Sequence, residues 1–215
     1  MNKANFFLAG ILFCIINLFT CWLTLYAQEV NFSIVSQTSE SVIVKVDFPQ
    51  YQVYTIDVKG KKMSKLIMKN AYPIEEAGTP ELLKSATSIL IPEGSHPTVS
   101  IIKSSYEIVP DFELVPSKGR LYRNVNPDDI PYTMGEQYRY NGFLYDQKVT
   151  LGTPFYLRDF YGLTLQCYPF DYHPVKKDLK VYKTMLIKID FNSTQRITSS
   201  QKLTSEFEKI AQNFF

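Results

Sequence analysis

SVIVKVDF, residues 41–48, alternates Val42, Val44 and Val46 with Ile43, Lys45 and Asp47. A two-residue apolar period built on β-branched side chains is that of a strand with one face in a core and the other toward water. YQVYTIDVKG (51–60) repeats the pattern and stops at Gly60. KLIMK (65–69), ATSILIP (86–92), PTVSII (97–102), YEIVP (106–110) and FELVP (112–116) are shorter strand candidates. FLYDQKVTL (143–151), PFYLRDF (154–160), GLTLQCYPF (162–170) and the long DLKVYKTMLIKIDF (178–191) continue the series. Short strands separated by Pro, Gly, Ser and Asn predict an all-β fold, an antiparallel sandwich or barrel. No stretch alternates strand with helix as a parallel sheet requires. One helix is expected, in SSQKLTSEFEKIAQNFF (199–215), where Leu203, Phe207, Ile210 and Phe214 form an apolar stripe. Ser205 and Glu208 there have capping-box spacing. The stripe would attach that helix to the sandwich.

The chain has 215 residues, 45% hydrophobic and 14% aromatic, enough to bury one good core. Lys+Arg 23 against Asp+Glu 21 leaves a net charge of +2, which argues against nucleic acid as the partner, since phosphate binding needs a basic field. MNKANFFLAGILFCIINLFTCWLTLYAQEV opens the chain with Lys3, then an uncharged apolar run ending at Ala27-Gln28. This predicts a signal peptide over 1–27, secretion through the inner membrane and one domain over 28–215. An uncleaved anchor and acylation at Cys21 are the other readings of the same run. With the signal peptide removed, no membrane contact is expected, and Cys167 is left as a lone cysteine that can form no internal disulfide.

A search for chemistry finds little. A Cys/His nucleophile would need Cys167 with His96 or His173. Cys167, however, shares strand parity with Leu163 and Leu165 and is expected to point into the core. Both histidines precede prolines, and His173 reads as a hairpin residue. There is no CxxC, no HxxxH, no calcium loop and no Gly-rich phosphate loop, so no metal or other cofactor is implied. Asp128 and Asp129, after Pro127, read as turn formers, and Glu75-Glu76 before Ala77-Gly78 as a solvated turn. Arg158 and Asp159, adjacent in a strand, would face opposite sides and pair across the sheet. The residues alone therefore describe a secreted β-domain without a catalytic centre, one that works by binding.

Three stretches carry more. SKGRLYRNVNPDDIPYTMG (117–135) is the densest turn in the chain. EAGTPELLKSATSILIPEG (76–94) holds a Gly-x-Pro-x-Leu core, and PFYLRDFYGLTLQCYPFDYHPVKKDLKVYKTMLIKI covers 154–189. In this order they resemble the propeptide of the gingipain-type cysteine peptidases, from about residue 30 to the C-terminus. The resemblance implies a jelly-roll-type β-sandwich prodomain acting as inhibitor and chaperone, whose partner is the peptidase catalytic domain. In the arginine-specific members, an arginine of an Arg-Asn-x-x-Pro turn fills the primary specificity pocket. Arg123, in Arg123-Asn124-Val125-Asn126-Pro127, matches that position, with Tyr122 and Asn124 beside it and Arg120 as the near alternative.

Read from the residues alone, Arg123 would instead pair with Asp128 or Asp129 to fix its own loop. Pro127 and Pro131 restrict φ there, and Gly119 and Gly135 are expected to allow the sharp turns. A catalytic domain and a sorting domain, which follow the propeptide in such precursors, are not among these residues. The chain is thus expected to be no enzyme itself, but a free-standing inhibitor or chaperone, or the propeptide of a truncated peptidase gene. Without a sorting domain, periplasmic retention is expected. An adhesion or glycan-binding module using exposed tyrosines is the further alternative.

Overall fold

The structure is a computed structural model that describes residues 29–157 and 160–192. The expected signal peptide, the C-terminal helix and the Arg158–Asp159 pair lie outside the described residues. Twelve strands run β1 Asn31–Gln37, β2 Ser41–Asp47, β3 Gln52–Val58, β4 Lys61–Ile67, β5 Tyr72–Pro73, β6 Leu83–Leu90, β7 Thr98–Val109, β8 Val149–Leu151, β9 Phe155–Leu157, β10 Phe160–Cys167, β11 Phe170–His173 and β12 Asp178–Asp190. One five-stranded sheet has the order β1-β2-β12-β11, with β7 also paired to β12. A second has the order β5-β6-β10-β8, with β9 also paired to β10, and β3-β4 form a separate hairpin. All strand pairs are antiparallel.

The alternation in 41–48 is what joins these sheets. Val42, Val44 and Val46 lie opposite Ile189, Ile187 and Met185 of β12, and all six side chains are buried. From the second sheet Leu163, Leu165, Cys167 and Ile89 enter the same apolar cluster. At roughly 25 cal/mol per Å² of apolar area removed from water, this shared face is the main source of stability in a fold whose described residues hold a single, free cysteine. Cys167 points inward as its parity requires, and burial pushes its thiol up to about 12.

Four parts of the strand expectation differ from what forms. PTVSII and YEIVP are one strand, β7, because Lys103-Ser104-Ser105 continue the ladder with β12. Ten of its twelve residues are exposed and the other two half-buried, so no apolar alternation was demanded of it. FELVP makes no strand. Leu114 forms a lone parallel bridge to Ser64, and the segment runs buried between β4 and Pro80, which bridges Pro116. GLTLQCYPF divides at Tyr168-Pro169 into β10 and β11, with Tyr182 N–H donating to Pro169 O at 2.8 Å. His173 does end β11 at the hairpin into β12, and its Nδ1 accepts from Lys176 N–H at 3.3 Å. In FLYDQKVTL only Val149–Leu151 is strand, and the residues before it run as irregular backbone against β11.

Candidate functional site

The segment 117–135 leaves the body at Ser117 and returns at Gly135, and both ends are held by one short piece of backbone. Gly78 N–H donates to Ser117 O at 2.9 Å, and Gly78 O accepts from Gly135 N–H at 2.8 Å. Ser117 N–H donates to Thr79 O at 2.7 Å, Ser117 Oγ donates to Ile74 O at 3.1 Å, and Gly119 N–H donates to Ser117 Oγ at 3.1 Å. The Gly-x-Pro-x-Leu run is thus the base of the loop. Thr79, Pro80, Glu81 and Leu82 are buried, with Glu81 N–H donating to Val115 O at 2.8 Å and Lys65 Nζ 3.0 Å from the Glu81 carboxylate.

Two glycines make this closure possible for different reasons. Gly119 has φ +76°, and a Cβ there would stand 2.9 Å from Ala77 Cβ. Gly135, expected to supply a turn conformation, has φ −89° and ψ −172°, which any residue adopts. Its need for a missing Cβ is steric, since a Cβ would meet Gly78 O at 3.1 Å.

Beyond the base the chain forms two consecutive turns. Val125 N–H donates to Tyr122 O at 3.0 Å, closing a four-residue turn with Arg123 and Asn124 at its centre. Pro127–Asp129 then forms a 3₁₀ turn capped by Asn126, whose Oδ1 accepts from Asp128 N–H at 3.2 Å. Asp128 and Asp129 are therefore turn formers, as their position after Pro127 implied. Arg123 forms no ion pair or hydrogen bond with any described residue, so the alternative pairing with Asp128 or Asp129 is not made. Tyr122 is 77% exposed, and Arg123 and Asn124 are exposed beside it. Arg120 also stands in solvent, with Nε 4.0 Å from Glu75 Oε2, a separation at which an exposed pair contributes little.

Sequence reasoning missed how the legs of the loop are stiffened. Lys118 Nζ donates to Pro127 O at 2.7 Å and lies 4.2 Å from the centre of the Tyr132 ring. Tyr132 and Tyr138 pack on a second apolar cluster of Val58, Met63 and Val115 beneath the β3–β4 hairpin. Tyr138 Oη donates to Leu114 O at 2.8 Å, and burial drives its phenol well above the usual range. Elsewhere among the described residues no side-chain cluster has the form of a reactive centre. His173 is buried against Phe143, His96 is exposed, and among the described residues no group of three His, Cys, Asp or Glu side chains could hold a metal.

The chain matches the family model described as Propeptide_C25 over residues 27–215. The chain belongs to the Propeptide_C25 family. Among curated proteins it is 30% identical to Gingipain R2 of Porphyromonas gingivalis over 71% of this chain and 21% of that protein. It is 23% identical to Lys-gingipain of the same organism over 85% of this chain and 12% of that protein. It thus spans a minor part of the curated relatives it matches, the propeptide and not the catalytic part. Among solved structures it is similar to the complex of Porphyromonas gingivalis RgpB pro- and mature domains, with TM-score 0.77 and 25% identity, covering 87% of this chain and 97% of that one. A structure describing zymogenic latency of gingipain K, with TM-score 0.65 and 19% identity, shares the fold over 78% of this chain and 95% of that one. As a Propeptide_C25 member the chain is a gingipain-type propeptide domain, all-β and antiparallel.

Proposed function

We propose that this chain inhibits an arginine-specific gingipain-type cysteine endopeptidase and that Arg123 is the side chain that fills the primary specificity pocket. The supporting observation is the placement of Arg123. It occupies the centre of a closed turn, its guanidinium is unengaged by described residues, and the loop beneath it is tied at both legs. A guanidinium pairs bidentately with a pocket carboxylate, and a side chain already projected from a closed turn loses less freedom on binding. Tyr122 and Asn124 flank it as the contacts along the cleft, and Arg120 is a second, less constrained arginine on the rising leg. Residues 1–27 would export the domain to the periplasm, where it would chaperone its peptidase and hold it latent. The reading is the same whether the catalytic domain is joined to this chain or separate from it.

The test is inhibition of an arginine-specific gingipain-type peptidase by the purified chain. Arg123→Ala is expected to lose about 2–5 kcal/mol of binding, the usual effect of removing one partner of a desolvated charge pair. Arg120→Ala is expected to change the inhibition constant little. Equal inhibition by the native chain and Arg123→Ala sinks the role given to Arg123, and no inhibition by either sinks the inhibitor reading.

A further inference from the structure

The geometry points to Lys118 as a positioning residue for Arg123, a cross-brace that holds the two legs of the loop at a fixed separation. The inference rests on the inhibitory reading of Arg123 above. The base at Gly78 fixes where the loop begins and ends, but not how the turn at Tyr122–Val125 is held relative to the body. Lys118 lies on the outgoing leg, and its ammonium reaches across to the returning leg twice. It donates to Pro127 O at 2.7 Å and sits over the Tyr132 ring at 4.2 Å. Pro127 opens the 3₁₀ turn that Asn126 caps, immediately after the turn carrying Arg123. Tyr132 is anchored on the cluster of Val58, Met63 and Val115. A continuous chain of contacts therefore runs from packed apolar side chains, through an aromatic face and an ammonium, to the backbone four residues beyond Arg123.

The chemistry suits a brace better than a contact with a partner. Three ammonium donors can serve a carbonyl and an aromatic face together, and both interactions strengthen where water is thinned out, as it is under a docked protein. Lys118 is half-buried, whereas Tyr122, Arg123 and Asn124 are exposed. Its charge is turned inward across the loop, while the residues that would meet a pocket face outward.

The experiment is a double-mutant cycle on the full chain, read as the inhibition constant against an arginine-specific gingipain-type peptidase. Lys118→Met, which keeps the stem and removes the charge, is expected to weaken inhibition about tenfold. Lys118→Arg is expected to recover most of that loss. In an Arg123→Ala background, Lys118→Met is expected to have no further effect, because a brace acts only through the residue it positions. A loss of equal size in both backgrounds overturns the inference and makes Lys118 a direct contact. No loss in the native background also overturns it. A readout independent of inhibition is the rate at which trypsin cuts after Arg123, identified by the mass of the fragments. Lys118→Met should raise that rate several-fold while the melting temperature holds, and an unchanged rate counts against the brace even if Arg123 proves to have no inhibitory role.

Discussion

Two irregular segments flank the sandwich, and they are held in opposite ways. Residues 140–148 are sealed to β11 by a buried carboxylate. Asp171, fully buried, accepts from Tyr145 N–H at 3.2 Å, Tyr172 N–H at 2.9 Å and Lys148 Nζ at 2.6 Å. Leu144 N–H donates to Tyr172 O, Tyr145 stacks on Tyr168, and Phe143 meets the His173 ring edge to face. Burial pushes the Tyr145 phenol up to about 12. The loop 117–135 is tied at its base and braced across its legs, and the side chains at its tip make no hydrogen bond or ion pair with a described residue. In the first segment Leu144 N–H, Tyr145 N–H and the Lys148 ammonium are all bonded to β11. In the second the exposed side chains of Tyr122, Arg123 and Asn124 make no hydrogen bond or ion pair with a described residue, which leaves their chemistry available for recognition.

Substitutions that treat the two segments alike should give unlike results. Asp171→Ala leaves the Lys148 ammonium buried without its partner and is expected to destabilise the chain by about 3–5 kcal/mol. A denaturant titration measures this, and a loss below 1 kcal/mol would show that water enters the Asp171 site. Gly119→Ala at the loop base is expected to cost about 1–2 kcal/mol for an L-residue in the left-handed region, together with a weaker inhibition constant. Gly60→Ala, at φ +82° with open space around it, is the comparison that separates the clash with Ala77 from the backbone term.

The smallest effect is expected at Glu113. Lys177 and then Lys61, bonding to its carboxylate, hold it below the ordinary glutamate range. A depressed carboxylate contributes stability above its unfolded pKa and loses it as pH falls through the folded value. Glu113→Gln should therefore lower stability slightly at neutral pH, where the paired carboxylate is charged, and flatten the acid limb, so that the two curves meet at pH below the folded value. At the tip, Arg123→Ala should alter folding stability by no more than about 0.5 kcal/mol, whatever it does to inhibition.

The fold was legible where one face of a strand is buried. Val42, Val44 and Val46 could alternate only if a core lay on one side, and Leu179, Val181, Met185, Ile187 and Ile189 repeat the same statement in β12. β7 was broken in two on paper because an exposed edge strand need not alternate, so polar residues at 103–105 looked like a stop. FELVP is apolar and bounded by proline like a short strand, yet it packs as a buried connector, held by main-chain bonds to Ser64 and Lys177 that are remote in sequence.

The turn that follows Arg123 was visible from Pro127, Asp128 and Asp129, because these residue types after a proline are a local turn signal. The closure of the loop was not. The pairing of Gly78 with Ser117 and Gly135 is made by main-chain atoms some forty residues apart or more, and no pattern of side chains announces it. The Lys118 brace was hidden for a similar reason, since a lysine in a charged loop reads as solvated until Tyr132 and Pro127 are brought beneath it.

Gly78 has a consequence for how such a domain can change over time. Both legs of the loop end on the N–H and C=O of this one residue, so closure makes no use of any side chain at the tip. The residue at position 123 is consequently uncoupled from the folding free energy, and a lineage can exchange it without first acquiring a compensating substitution elsewhere. If residue 123 meets the target as proposed, selection on the target's preference and selection on foldability act on separate positions.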